Sequence, residues 1–219
     1  MTDKPLPEPK QRVRNRREAT RASLKEAAVE SFARWGFTFT TVDEIAKAAG
    51  VSNATFYKHF ESKEDIFAEL DQDYNDDVLV LVKEVFENTH GASIPERLRA
   101  IAERIVDGFA EQPTRAKALL TGPRPLLEFE PGRDVANPEL RDLLAKKLID
   151  FFEIDIDAAW RIEATVAALL GAWVQVIFYY LARASRPDAD VLRGRLIDYL
   201  VNITIAMIPG EMTSKAPLS

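Results

Sequence analysis

The sequence predicts an all-α protein with about nine helical segments. Apolar residues recur at spacings of three and four through most of the chain, and Gly, Pro and capping residues separate the periodic segments. No stretch alternates apolar and polar residues convincingly enough to predict a strand. With 219 residues, 47% of them hydrophobic, the chain is long enough to bury one large core or two modest ones.

The composition favours a cytoplasmic protein that needs no metal or cofactor. The chain has no cysteines, which excludes disulfides and points to a reducing compartment. Its two histidines, His59 and His90, cannot form a metal site of the usual spacing. The N-terminal segment is proline-rich and charged, unlike a signal peptide. No phosphate-binding glycine loop or catalytic constellation is found, so we do not expect an enzyme.

The charge is divided unevenly along the chain, whose net charge is −6. Residues 1–63 carry 12 Lys and Arg against 8 Asp and Glu, whereas the rest carry 17 against 27, so the two parts have net charges of +4 and −10. Phosphate repels an acidic surface. The division therefore favours a protein in which only the N-terminal part approaches nucleic acid.

Residues 41–60, TVDEIAKAAGVSNATFYKHF, predict two short helices joined by a tight turn. Thr41 and Glu44 have the spacing of a capping box at the start of the first helix. Gly50 is placed to end that helix in the left-handed conformation. Ser52 is placed to cap the second helix. This is the pattern of a helix-turn-helix.

The second helix is predicted to present small and polar side chains to DNA. Asn53, Ala54, Thr55 and Lys58 face away from the apolar side, where they suit the base edges and thymine methyl groups of a major groove. The remaining candidates suit phosphate oxygens, although a lone Tyr or His here would more often be a plain surface residue. These phosphate candidates are Thr41, Ser52, Tyr57, His59 and Lys63.

Several short motifs lie together between Leu24 and Phe67. They are Ala28 to Phe32, Trp35-Gly36-Phe37, Thr40-Thr41, Ile45-Ala46, Ala49-Gly50-Val51-Ser52, Thr55-Phe56-Tyr57, His59-Phe60 and Ser62-Lys63-Glu64. In combination they strongly resemble the tetracycline-repressor (TetR) family of bacterial transcription regulators. The resemblance implies an N-terminal three-helix helix-turn-helix DNA-binding domain, followed by a larger helical ligand-binding and dimerisation domain.

The predicted domains follow the periodic segments. Residues 1–17 lack apolar periodicity and are expected to be a disordered basic arm, which is either a solvated tail or a further DNA contact. Residues 18–62 form the helix-turn-helix domain, which Phe37 and Phe39 complete. Residues 63–209 form the second domain, and residues 210–219 a flexible tail. The second domain's helices are predicted over about 62–88, 93–109, 113–120, 137–152, 158–184 and 188–208.

Residues 164–182 form an uncharged run that approaches the length of a transmembrane span. Polar residues such as Thr165 and Gln175 interrupt it, aromatic belts do not flank it at both ends, and it is the only such run. We therefore expect no membrane association. A helix that is apolar all round is also typical of one buried on every side, here between a ligand-binding core and a partner subunit.

The resemblance also implies partners. Because one recognition helix reads few base pairs, a homodimer on a palindromic operator is expected. In the TetR family the last two helices of each subunit form the dimer, and a small molecule in the second domain changes the separation of the two DNA-binding heads. The candidate pocket residues, each of which taken alone is better explained as plain core, are Phe109, Leu119, Phe129, Trp173, Gln175, Phe178 and Tyr179. Their aromatic and aliphatic character suggests an apolar or aromatic effector.

The sequence therefore predicts a ligand-responsive repressor that binds double-stranded operator DNA and is released by a small effector. The alternative is a DNA-binding regulator that is controlled by a protein partner and has no small-molecule ligand. An irregular connection at 121–136, which contains Leu126, Leu127 and Phe129, either covers the core or forms a lid over the pocket.

Overall fold

The computed structural model describes residues 9–120, 122, 138–152, 159–181 and 189–208. All regular structure within these ranges is helical, which confirms the predicted all-α fold class. The helices are α1 (Pro9–Trp35), α2 (Val42–Ala48), α3 (Asn53–Phe56), α4 (Lys63–Asn88), α5 (Ile94–Glu111), α6 (Pro113–Leu120), α7 (Pro138–Phe152), α8 (Ala159–Leu181) and α9 (Ala189–Met207). The predicted lid at 121–136 and tail at 210–219 lie outside the described residues.

Helix α1 begins at Pro9, inside the segment expected to be a disordered arm. Its first turns are mostly exposed and are stabilised locally, since Gln11 Nε2 donates to Asn15 Oδ1 over 2.8 Å and Arg14 pairs with Glu18 over 3.4 Å. The prediction of disorder is therefore wrong for residues 9–17. Arg, Lys, Gln and Glu are strong helix formers, so a packed helix extends through them without an apolar stripe.

The described chain divides into two compact units. Unit 1 contains the described residues up to Asp71 together with residues 117–122, and unit 2 contains residues 72–116 and the described residues from 138 onward. The predicted boundary after residue 62 falls earlier than this division. The reason is that Ile66, Phe67 and Leu70 of α4 pack in the core of unit 1.

The core of unit 1 is formed by α1, α2, α3 and the start of α4. Phe32, Phe37 and Phe67 form an aromatic cluster, in which the ring centroids of Phe37 and Phe67 are 5.2 Å apart. Phe37 is buried as predicted. Phe39, expected to complete the core, is 79% exposed, and Phe37 alone of the two packs beside Phe32 of α1. The core packs α2 and α3 on α1 and so fixes the helix-turn-helix.

Unit 2 is formed by the rest of α4, by α5, by the first half of α6 and by α7, α8 and α9. Helix α8 packs against α7 and α9, and α5 packs against α9. Arg193 of α9 forms a bidentate pair with Asp107 of α5, with both N–O distances 2.7 Å. Such a paired geometry fixes the register of the two helices.

Helix α8 is long and apolar enough, by length and composition, to cross a membrane, and it is the one helix in the described ranges with that property. Only 28% of the window from Trp160 to Tyr180 is buried within the chain. Ile162, Val166 and Ile177 face the core, whereas Trp160 and Tyr179 are 68% and 56% exposed. The neighbouring helices of the same chain therefore cover one side of α8, and burial of its other side against a partner subunit stays a prediction.

Candidate nucleic-acid interface and apolar cavity

The helix-turn-helix has the local geometry that its sequence predicts. Glu44 N donates to Thr41 Oγ1 over 3.3 Å, and Thr41 N donates to Glu44 Oε2 over 2.8 Å, so the capping box is formed. Gly50 has φ +69°, the left-handed conformation that glycine tolerates without strain. Thr55 N donates to Ser52 Oγ over 3.2 Å at the start of α3. Two caps and one glycine therefore fix the angle between α2 and α3.

Helix α3 is a single α-helical turn, Asn53–Phe56, followed by turn residues 57–59. Phe56 is fully buried and anchors this segment in unit 1. Asn53, Ala54 and Lys58 are exposed, and Thr55 is partly buried. Asn53 Nδ2 donates to Asp43 Oδ1 over 3.2 Å, which orients its amide. Three of the four predicted base-reading residues are thus at the surface, and the fourth, Thr55, is partly buried.

Tyr57 belongs to the same outer surface. Its side chain is 59% exposed, and its ring contacts Phe56 edge-on, with the centroids 5.5 Å apart. The buried Phe56 ring therefore supports a phenol group that reaches solvent. This position suits the predicted phosphate contact.

Thr41 and Ser52, predicted as phosphate contacts, act first as caps. Besides its capping bond, the Thr41 hydroxyl donates to Glu44 Oε2 over 3.0 Å. The Ser52 hydroxyl pairs with Thr55 Oγ1 over 3.0 Å. Both hydroxyl groups are therefore already engaged within the helix-turn-helix.

Lys63 has a structural position that the sequence does not indicate. Its ammonium group donates to the main-chain oxygens of Phe37, Thr38 and Thr40 over 3.0, 3.2 and 3.0 Å, and it lies 4.7 Å from the centre of the Phe37 ring. An ammonium group has three N–H donors, and all three are used. The predicted phosphate role of Lys63 therefore does not fit this geometry, because the side chain fastens the turn between α1 and α2 to α4.

His59 is partly buried at the end of the helix-turn-helix. Its Nδ1 atom is buried and has no hydrogen-bond partner in the described part of the chain. Burial lowers the pKa of His59 below its ordinary value, and the nearby charges of Arg17, Arg21 and Lys58 lower it further. The imidazole is therefore neutral near pH 7, so a phosphate contact through it would be a hydrogen bond without charge.

Arg21 joins three segments of unit 1 and was not singled out from the sequence. Its guanidinium group pairs with Glu69 of α4, donates to the main-chain oxygen of His59 and lies 4.1 Å from the centre of the Phe60 ring. Burial raises the pKa of Glu69, but hydrogen bonds from Arg21 and Lys25 outweigh it, and the net pKa lies below the ordinary value. Arg21 and Glu69 are 48 residues apart, so no local pattern indicates the pair.

Unit 2 contains an apolar cavity of about 100 Å³, or about 840 Å³ with its opening to solvent included. Residues from α4, α5, α7, α8 and α9 line it, among them Val82, Ile101, Leu144 and Trp173. Trp173 Nε1 donates to Thr204 Oγ1 over 2.8 Å, so the indole N–H is already satisfied. The cavity suits an apolar group.

The predicted pocket residues are mostly elsewhere. Trp173 lines the cavity, but Phe109 packs in a separate cluster with Ile197 and Leu200, and Leu119 packs on the core of unit 1. Phe129 lies outside the described residues. Gln175, Phe178 and Tyr179 do not line the cavity, because they fall on a different side of α8 from Val166, Leu169, Leu170 and Trp173. The sequence shows that α8 is apolar but does not show which side faces the cavity.

The capped pair of helices and its exposed polar face define a helix-turn-helix protein. Residues 24–70 match the family profile described as bacterial regulatory proteins of the tetR family. The HTH-type transcriptional activator FasR of Mycolicibacterium smegmatis is 33% identical over 104 residues, which cover 48% of this chain and 46% of FasR. The HTH-type transcriptional repressor KstR2 of Mycobacterium tuberculosis is 33% identical over 90 residues, covering 41% of this chain and 44% of KstR2.

A likeness to solved structures extends over nearly the whole chain. A candidate transcriptional regulator from Pseudomonas aeruginosa PAO1 aligns with a TM-score of 0.62 and 24% identity, covering 95% of this chain and 93% of that one. The curated relatives are matched over about a quarter to a half of their own length. Residues 24–70 therefore form a DNA-binding domain of the tetR family, and the whole chain has the fold of such regulators. This confirms the predicted resemblance to the TetR family.

Proposed function

We propose that this chain binds a palindromic operator as a homodimer and regulates transcription in response to a small molecule held in unit 2. The surface formed by the exposed Asn53, Ala54, Tyr57 and Lys58, together with the partly buried Thr55, carries the proposal. It stands on a helix-turn-helix whose ends are capped and whose inner side is buried, so its side chains are positioned before DNA arrives. The net charge of +4 over residues 1–63 favours the same face.

Repression is the proposed outcome of operator binding. A dimer on an operator that overlaps a promoter excludes the polymerase, and KstR2 is named a repressor. FasR, which is equally identical over its matched region, is named an activator. A reporter gene behind the selected operator distinguishes the two, since deletion of a repressor raises expression and deletion of an activator lowers it.

The proposed dimer forms through α8 and α9. Large apolar side chains are exposed on both helices, namely Trp160, Val174 and Tyr179 on α8 and Val191 and Tyr199 on α9. Exposed apolar side chains concentrated on two neighbouring helices favour a partner subunit. Ala167 and Ala168 of α8, which are also exposed, allow a second helix to approach closely.

The dimer is tested by light scattering of the purified chain. The double variant Trp160→Glu, Tyr179→Glu is expected to be monomeric and to lose operator binding, because one head contacts a single half-site. Val80→Glu, at an α4 residue that is 55% exposed, is the matched control and is expected to remain dimeric. A dimer that persists in the double variant would contradict the assignment of this face.

The DNA-binding face is tested by selecting bound sequences from random DNA and measuring affinity for the selected site. Lys58→Ala is expected to weaken binding by about tenfold or more, and Tyr57→Phe by several-fold, with unchanged helical content. Lys83→Ala removes an exposed charge of unit 2 and is expected to have no effect. Full affinity in both the Lys58 and Tyr57 variants would overturn the proposed face.

A further inference from the structure

We infer that the effector of this protein is an amphipathic anion, with its apolar chain in the cavity of unit 2 and its anionic head between Arg97 and Lys147. The inference rests on the proposed response of the chain to a small molecule. It names the chemical class of that molecule, and adds an anionic head to the apolar or aromatic character that the sequence suggested.

Arg97 and Lys147 are the charged residues of the cavity wall. Arg97 comes from α5 and Lys147 from α7, and both lie over the ring of Phe86, at 5.7 and 5.4 Å from its centre. No acidic residue of the described ranges lines the cavity. Two helices therefore bring two positive charges to one end of an otherwise apolar space.

Neither cation is neutralised within the described residues. Other arginines of α5 are paired, since Arg99 binds Asp198 over 2.6 Å and Arg104 binds Glu84 over 3.1 Å. No such pair forms at Arg97 or Lys147, and the Nε atom of Arg97 is buried without a hydrogen-bond acceptor. A buried donor without an acceptor is destabilising. An anionic head supplies both the acceptor and the missing negative charge.

The other polar groups of the described cavity wall, the Thr204 hydroxyl and the Trp173 indole, bond to each other and need no further partner. Thr204 is 4% exposed, accepts from Trp173 Nε1 and donates to Leu200 O over 2.7 Å. Val82, Ile101 and Leu170 complete the wall with aliphatic groups. Lys147 is exposed, which places the charged end toward solvent. The polarity of the wall thus orients a ligand with its apolar chain inward and its head beside Phe86.

The size of the cavity favours a ligand of modest length. An engineered dry cavity of about 150 Å³ binds benzene. The space of about 100 Å³, continued by an opening to solvent, is therefore suited to a short to medium alkyl chain whose head remains at the mouth. Octanoate is a suitable probe of this chemistry.

The experiment measures binding of octanoate, octyl phosphate and octanol to the full chain by calorimetry. Octanoate, octyl phosphate or both are expected to bind at least about tenfold more tightly than octanol, which has the same tail but no charge. Preference for one of the two anions identifies the head as a carboxylate or a phosphate. Octanol binding as tightly as both anions would overturn the inference.

Matched variants locate the head. Arg97→Met and Lys147→Met keep an apolar stem and are expected to weaken anion binding by about tenfold while leaving octanol binding unchanged. Lys146→Met removes the neighbouring exposed charge, which does not line the cavity, and is expected to bind the anions normally. Anion binding that survives in both cavity variants, or that falls equally in Lys146→Met, would overturn the inference. Lys147 is exposed, so its substitution tests the head even if Arg97→Met fails to fold.

Operator binding is measured in the same preparations without ligand. Its absence would contradict the proposed function but not the anion site. Intact operator binding with no preference for the anions would contradict the anion site and leave the proposed function standing.

Discussion

The guanidinium carbon of Arg21 lies 4.1 Å from the centre of the Phe60 ring and so joins the first helix of unit 1 to the end of the helix-turn-helix. The same group pairs with Glu69 and donates to the main-chain oxygen of His59. One side chain therefore holds together segments that are 38 and 48 residues away from it in the chain.

Arg21→Ala is expected to lower the free energy of unfolding by about 1–3 kcal/mol, because it removes charge-assisted hydrogen bonds and a cation–π contact from a partly buried site. Urea denaturation followed by circular dichroism measures the change. Arg14→Ala is the control, since Arg14 and Glu18 are both about two-thirds exposed and their pair contributes little. Equal effects of the two substitutions would show that the Arg21 contacts add no stability.

Lys63→Met is expected to lower the free energy of unfolding by about 1–3 kcal/mol, because three main-chain oxygens lose a charged donor. Lys58→Met is expected to leave stability unchanged and to weaken operator binding, since Lys58 is exposed on the DNA-facing side. Thermal unfolding and a gel shift on both variants check the contrast. A Lys63 variant with normal stability and weak operator binding would restore the phosphate role predicted from the sequence.

Gly50→Ala is expected to destabilise the protein by about 1 kcal/mol, because φ is +69° at this position and a Cβ atom disfavours that conformation. Gly108→Ala is the same substitution at an exposed helical position of α5 and is expected to stabilise by about 0.5–1 kcal/mol. The two melting temperatures should therefore move in opposite directions. A shift of the same sign would exclude the backbone conformation as the cause.

Stability is expected to fall in mildly acidic solution because of His59. Burial and three neighbouring cations lower the pKa of His59 in the folded chain below 6.5. Between that lowered pKa and pH 6.5, the unfolded chain therefore binds more protons than the folded chain. The contribution of neutral His59 to the free energy of unfolding is therefore fully present above about pH 6.5 and is lost as the pH falls through the pKa of His59 in the folded chain. Urea denaturation at several pH values measures the loss. The His59→Gln variant is expected to show a smaller slope of the free energy of unfolding against pH. An unchanged slope would assign the effect to other groups.

The spacing of neighbouring residues was sufficient to predict the helix-turn-helix and its exposed side chains. The roles of Thr41, Gly50 and Ser52 depend on residues within four positions along the chain, so spacing alone indicates them. The start of α1 was missed because Arg-rich helix formers carry no apolar period.

Roles set by distant contacts were not predictable in the same way. Lys63 contacts residues 23 to 26 positions earlier, and Arg97 and Lys147 meet at one aromatic ring from different helices. The apolar character of α8 likewise did not show that Trp173 faces the cavity while Tyr179 does not. Each of these depends on helix packing, which the sequence of a single helix does not contain.

Trp173, whose indole N–H donates to Thr204, can also report on the cavity through its fluorescence. The chain has three tryptophans; Trp35 and Trp160 are 52% and 68% exposed, whereas Trp173 is partly buried in the cavity wall. Replacing the two exposed indoles by Phe leaves Trp173 as the single tryptophan, whose emission depends on the polarity of the cavity and on the hydrogen bond of its indole N–H. The fluorescence of Trp173 can therefore follow binding of a ligand in the cavity of unit 2 without any added label.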